Sequence, residues 1–142
     1  SAAEACAGTP EPPDEYLFHA ASSGNVPEVL STLQEAMFRN AMVIRGEEGL
    51  SAALGTVERL SANLSLCPSA DVRAIAQTRR LTGRLHTAEA ILKAALLRRG
   101  SRGAHYRADY PEADPAQSSP IIVSQDSGAI RARFTKEDVP CS

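Results

Sequence analysis

The side chains with the most chemical potential lie together in one run, Ser101-Arg102-Gly103-Ala104-His105-Tyr106-Arg107-Ala108-Asp109-Tyr110-Pro111-Glu112. Two guanidinium groups could grip carboxylates or phosphates, an imidazole could move a proton or ligate a metal, and two phenols add polar aromatic surface. A reaction centre needs partners for such groups, and the rest of the sequence does not supply them. No second His or Cys stands near His105 to complete a metal site, and His19 and His86 are as solitary. Ser101 lacks the G-x-S-x-G setting of an activated serine. Neither G-x-G-x-x-G nor G-x-x-x-x-G-K occurs, so no phosphate-cradling loop is readable. The expected catalytic, cofactor-binding and metal-binding sets are therefore empty. Two readings of the run stand. Ser101, Arg102, His105, Tyr106, Arg107, Asp109 and Tyr110 could form a docking edge, as polar loops rich in aromatics often do. Or the run is a helix-ending loop whose polar groups satisfy one another.

Three helical patterns precede this run and must position it. Val26, Val29, Leu30, Leu33, Met37, Ala41 and Ile44 recur at three and four, the mark of one buried helix face. Asn25 suits its N-cap, Pro27 and Glu28 suit its first turn, and Gly46 suits its end. A second helix is expected from Glu47 to Asn63, with Leu50, Leu54, Val57, Leu60 and Leu64 inward and Pro68 closing the connection. The third is the longest. Ser69 is its expected N-cap, Asp71 lies in its first turn, and Ala74, Thr78, Leu81, Leu85, Ala88, Leu92 and Ala95 alternate steps of four and three to about Gly100. Arg98 and Arg99 would complement the negative end of its dipole. Gly83 within it costs about 1 kcal/mol against Ala, a cost that a close helix contact would offset. Beyond the motif, Pro120–Gln125 and Ala129–Thr135 flank Asp126, Ser127 and Gly128, and Ile130, Ala132 and Phe134 alternate with Arg131 and Arg133, which predicts a small β-hairpin. The fold class read from these patterns is all-α: a three-helix up-down-up bundle followed by a loop and a hairpin. Residues 1–24 read as a linker broken by Pro10, Pro12 and Pro13 with an apolar patch at Tyr16, Leu17 and Phe18, residues 25–100 as the bundle, and residues 101–142 as the motif loop and hairpin tail.

Composition narrows the function classes. The chain has 142 residues, 43% hydrophobic and 4% aromatic with no Trp, so its core is aliphatic and large enough to stand without staples. Net charge is −2, which does not suggest a nucleic-acid binder. Charge is uneven: Arg73, Arg79, Arg80, Arg84, Lys93, Arg98, Arg99, Arg102 and Arg107 share their stretch with one acid, Glu89, so an adaptor that meets an acidic partner there is a third reading. Cys6, Cys67 and Cys141 are odd in number and far apart, which points to a reducing compartment. No apolar run approaches the roughly 20 residues of a bilayer span, and no leader is visible, though the sequence begins at Ser1 and reads as a piece of something longer.

The motif also carries a resemblance. Ser101-Arg102-Gly103-Ala104-His105-Tyr106 through Asp109-Tyr110-Pro111-Glu112 is similar to the E-S-R-G-x-H-Y-x-x-D-Y-P-E signature near the C-terminus of L-aspartate oxidases; succinate dehydrogenase and fumarate reductase flavoproteins carry a close version, usually with Ala where Tyr106 stands. Ala88-Glu89-Ala90-Ile91-Leu92-Lys93-Ala94-Ala95 resembles the family's A-E-L-I-x-x-A-A run. Met37-Phe38 through Val43-Ile44-Arg45 resembles its M-W-x-x-x-G-I-V-R helix, with Glu48-Gly49-Leu50 and Ala53-Leu54 following at the expected place. Gly100 stands where the family usually has Glu, and Met42 where it usually has Gly. The resemblance spans about Leu30 to Glu112. It implies a three-helix, spectrin-repeat-like C-terminal domain that packs against the flavin-binding domain of the same parent protein. FAD would be held wholly upstream of this chain, and Arg102, His105, Tyr106, Arg107, Asp109 and Tyr110 would hold the domains together by charge-assisted hydrogen bonds. The parent would be a cytoplasmic enzyme oxidising L-aspartate to iminoaspartate for quinolinate and NAD synthesis, and this part alone would be inert, with no membrane and no nucleic acid among its partners. The alternative is the matching domain of a succinate dehydrogenase or fumarate reductase flavoprotein subunit.

Overall fold

A computed structural model describes residues 18–21, 26–64, 66–69 and 71–135. In chain order these form β1 (Phe18–Ala21), α1 (Val26–Asn40), β2 (Ile44–Arg45), α2 (Glu47–Ala62), β3 (Leu66–Ser69), α3 (Val72–Leu97), β4 (Tyr106–Arg107), a 3-10 turn (Pro115–Gln117), β5 (Ile121–Asp126) and β6 (Ala129–Phe134). The described residues are mostly helical, with three small strand pairs. The expected cap at Asn25, the prolines of the leading stretch, the Tyr16 and Leu17 patch, Cys6 and Cys141 lie outside the described residues.

The aliphatic periodicity translates directly into one core. Val29, Leu33 and Ala41 come from the first pattern, Leu50, Ala53 and Val57 from α2, and Leu81, Leu85, Ala88, Leu92 and Ala95 from α3. Leu50, Val57 and Leu92 have no exposed surface at all. Burying each such side chain is worth about 1.5–3 kcal/mol, so this seam is the main source of helix stability. Thr78, at a seam position, is buried because its hydroxyl donates to the Ala74 carbonyl at 2.8 Å.

The ends of α1 and α3 differ from the sequence expectation, each for a local reason. The first helix stops at Asn40 and not near Gly46. Arg45 folds its Nε back onto the Ala41 and Met42 carbonyls at 3.1 and 2.7 Å, satisfying acceptors that further helix would have used. Ile44 and Arg45 are then free to pair as a strand, and Ile44, expected inward, is 70% exposed. The third helix is capped by Asp71, whose carboxylate accepts from the Arg73 N–H at 2.9 Å, rather than by Ser69, which belongs to β3. It ends at Leu97, so Arg98 and Arg99 lie just past it. Gly83 makes no close contact; the glycine at a close helix approach is Gly49, where a Cβ would sit 3.0 Å from Asn40 Oδ1.

Three strand pairs complete the fold. Strand β1 runs antiparallel to β3, Phe18 opposite Ser69 and Ala21 opposite Leu66, and packs on α3, so structure extends into the stretch read as linker. The hairpin falls where alternation places it, Ile121 opposite Phe134 and Asp126 opposite Ala129. Its two turn residues, Ser127 and Gly128, have φ of 49° and 86°, as a type I′ turn requires. Strand β6 lies on α3: Ile130 is buried, and the Lys93 ammonium bridges its carbonyl at 3.0 Å to Glu89 at 2.6 Å. The third pair, β2 with β4, is parallel and ties the α1–α2 corner to the motif loop.

Candidate functional site

The motif begins one residue past a tight exit from α3. Gly100 is buried, and a Cβ there would meet the Asp114 N at 3.1 Å, so a side chain at this position needs the 112–114 backbone to give way. The missing carboxylate noted in the sequence thus coincides with a crowded site. Ser101 next fastens the loop across itself: its N–H donates to the Glu112 carbonyl at 3.0 Å, its hydroxyl donates to the Tyr110 carbonyl at 2.8 Å, and its Oγ accepts from the Arg107 N–H at 2.9 Å. Arg102 and His105 exchange backbone hydrogen bonds at 2.7 and 2.9 Å across a turn in which Gly103 has φ +54°.

Arg107 is the centre of the arrangement. Its side chain is wholly buried. One terminal nitrogen donates to the Ala95 carbonyl at 2.9 Å and reaches the Arg98 carbonyl at 3.3 Å, acceptors that the C-terminus of α3 leaves open. Nε and the other nitrogen hold Asp109 in a two-pronged bond at 2.7 and 2.6 Å, with Glu47 3.6 Å away. The Tyr110 ring lies 5.1 Å from the guanidinium carbon. The Asp109 hydrogen bonds raise the Arg107 pKa further despite burial, and the same pair holds the Asp109 carboxyl down at about 2.

Asp109 has a second role. Its Oδ2 accepts from the Glu47 N–H at 3.1 Å, the first amide of α2. The N-cap of that helix is Gly46, which offers no side-chain acceptor. A carboxylate from sixty-two residues further on therefore does the work of the missing cap. One ion pair thus closes the C-terminus of α3 and the N-terminus of α2 together.

His105 is fixed by Arg45, whose terminal nitrogen donates to Nδ1 at 2.6 Å. That direction requires the ring to be neutral with its proton on Nε2. Burial, then the Arg45 charge, lower the His105 pKa; the Arg98 carbonyl opposes the shift but makes no well-formed hydrogen bond to the ring. A histidine held this way is an acceptor inside a polar network. Among the described residues no cluster of His, Cys, Asp and Glu could hold a metal ion.

The seven sequence-predicted residues thus separate by environment. Ser101, His105, Arg107, Asp109 and Tyr110 are bound into one network, while Arg102 and Tyr106 point outward. Arg102 reaches the Ser118 carbonyl at 2.7 Å, and Tyr106 is 41% exposed opposite Ile44. Sequence reasoning gave no part in the site to Arg45, known only as the end of the M-W-x-x-x-G-I-V-R resemblance, or to Glu47, the expected start of the second helix, because both stand some sixty residues away. Arg98, expected to complement the dipole of α3, leaves that end to Arg107 and instead donates to the Gln117 and Ser119 carbonyls and stacks over Phe134 at 5.4 Å.

A family profile described as fumarate reductase flavoprotein C-term matches residues 30–140. The chain belongs to that family. As a C-terminal flavoprotein domain it is similar to L-aspartate oxidase of Rhodospirillum rubrum, 38% identical over 109 residues that cover 77% of this chain and 34% of that protein. It is 37% identical over 97 residues to L-aspartate oxidase of Pyrococcus furiosus, covering 68% and 16%. Among solved structures, Sdh1 of Mycobacterium smegmatis in complex with UQ1 superposes with a TM-score of 0.69 at 25% identity, over 83% of this chain and 21% of that one. The chain therefore spans about a third or less of the length of these relatives. Within the flavoprotein C-terminal family, the Arg107–Asp109 clamp gives the motif a physical meaning: it is the lock that closes two helix ends.

Proposed function

We propose that this chain is the C-terminal structural domain of an FAD-dependent L-aspartate oxidase, and that it docks on the flavin-binding domain of the same polypeptide. The observation that carries the reading is the 38% identity to an L-aspartate oxidase over most of the chain, together with Tyr106 after His105 in the motif. The parent enzyme oxidises L-aspartate to iminoaspartate by hydride transfer to FAD, with oxygen or fumarate taking the electrons onward. FAD belongs to the remainder of the polypeptide. In support, this sequence has no dinucleotide loop, and Arg107, its best phosphate-gripping group, is buried and committed to Asp109 and helix carbonyls.

The domain plan in this reading is a leading segment over residues 1–24, a helical unit over 25–100 and a motif-and-hairpin unit over 101–142. The helices run up, down and up, a course favoured by the short connections at 41–46 and 63–71. The enzyme is cytoplasmic; no helix among the described residues is long and apolar enough to cross a membrane.

The test is to purify the complete polypeptide that carries this domain and assay flavin content and turnover. The expected result is bound FAD and peroxide or succinate formed in step with L-aspartate consumed, while the 142-residue chain alone retains no flavin. Succinate oxidation without aspartate turnover would assign the domain to a succinate dehydrogenase or fumarate reductase subunit, the reading favoured by the family description and the Sdh1 superposition.

A further inference from the structure

Five large apolar side chains stand in the open at one corner of the domain. Phe38 is 71% exposed near the end of α1, Met42 and Val43 are more than half exposed in the bend after it, and Ile44 is 70% exposed in β2. The β2–β4 register puts Tyr106 opposite Ile44, which joins this corner to the motif loop. Single exposed apolar residues are ordinary, but four within seven positions, extended by Tyr106 on a paired strand, mark a contact surface. Met42, Val43 and Ile44 are exposed because of how the chain leaves α1: Arg45 takes the Ala41 and Met42 carbonyls, the chain turns outward, and Ile44 leaves the core face.

We propose that Phe38, Met42, Val43, Ile44 and Tyr106 form the apolar centre of the face by which this domain seats on the flavin-bearing remainder of its own polypeptide. The proposal rests on the functional reading above. Two observations select this occupant. The relatives are more than twice this length, so in the functional reading most of the polypeptide lies outside this chain and is tethered to it, at a high effective concentration. The corner is also continuous with the motif, whose ionic groups are already used internally: Arg107, Asp109, His105 and Arg45 bond one another, Glu47 and helix carbonyls. What the motif side has left to present is apolar surface, with Arg102 at its rim. The docking is then driven by burial of these side chains, where the sequence had suggested charge-assisted hydrogen bonds.

Hydroxyl-radical footprinting tests this, since Phe, Met and Tyr side chains are all reactive. In the 142-residue chain Phe38, Met42 and Tyr106 label freely. In the complete polypeptide they are expected to be protected severalfold, while the hairpin residues Ile122 and Val123 label alike in both. Ile44→Asp with Val43→Asp changes exposed positions only, so the domain still folds, and in the complete polypeptide the protection at Phe38 and Tyr106 should be lost. Equal labelling in both forms overturns the proposal, and does so alone if that polypeptide holds flavin and oxidises aspartate. Protection in a polypeptide without flavin overturns the functional reading and with it the stated occupant. Protection that grows with concentration in the 142-residue chain assigns the corner to a second copy and overturns the proposal too.

Discussion

The seam of α3 and the clamp beyond it hold the same helices by opposite means. Along the seam, Leu81, Leu85 and Leu92 exclude water without directional demands, so stability follows volume and shape. At the clamp, a buried guanidinium meets two carboxylate oxygens and the carbonyls of a helix end, and stability follows geometry and charge. A seam tolerates a neighbour of similar size. A buried ion that loses its partner has nowhere to place its charge.

The contrast predicts different mutational responses. Arg107→Ala should be the most damaging single change, costing about 3–5 kcal/mol in urea unfolding, because it strips the partner from Asp109 and uncaps α3. Arg107→Lys should recover little, since an ammonium cannot span both Asp109 oxygens and the helix carbonyls at once. Leu92→Ala should cost about 2–5 kcal/mol. The shape-conserving Leu92→Met should cost less than about 1.5 kcal/mol, and near-equal losses for the two Leu92 variants would erase the distinction between the regions.

The clamp should also respond to acid where the seam cannot. Asp109 has its pKa lowered to about 2 from 3.8, so its contribution is full above the ordinary value and disappears as pH falls toward 2. Asp109→Asn leaves the buried Arg107 with only the Glu47 carboxylate at 3.6 Å and removes the α2 cap, so it should cost about 3 kcal/mol near neutral pH and flatten that acid limb of stability. His105, also lowered, stabilises as the neutral ring: its contribution is complete above its ordinary value of 6.5 and is lost as pH falls through its depressed folded-state value. His105→Gln should remove the part of the pH dependence that lies just below neutrality, read by chemical denaturation at a series of pH values. The smallest effect is a gain. Gly83 is exposed in mid-helix with nothing near its missing Cβ, so Gly83→Ala should stabilise by about 0.5–1 kcal/mol and raise the thermal midpoint.

How much could be read in advance also divides along this line. Six of the seven seam positions named from spacing in α3 are buried, because periodicity is a local property that tertiary packing merely uses. The hairpin was readable for the same reason, with the turn chemistry of Ser127-Gly128 bounded by alternating residues. Helix ends were less so. Gly46 looked like the stop for α1, yet the stop is a side chain, Arg45, that reaches backward. Nor could spacing alone reveal strand β1, whose stability comes from pairing with β3 and packing on α3.

The motif shows the division most clearly. By itself the sequence determined that Arg107, Asp109 and Tyr110 would lie close together, since they are near neighbours in the chain, and that no phosphate loop accompanied them. Only the tertiary structure decided that Asp109 would cap α2, that Arg107 would close α3, and that Arg45 would orient His105 across sixty residues. Those contacts are settled by where three helices leave their open amides and carbonyls once an aliphatic core has brought them side by side. A helix end must find a partner, and which partner is nearest is a question of three-dimensional distance.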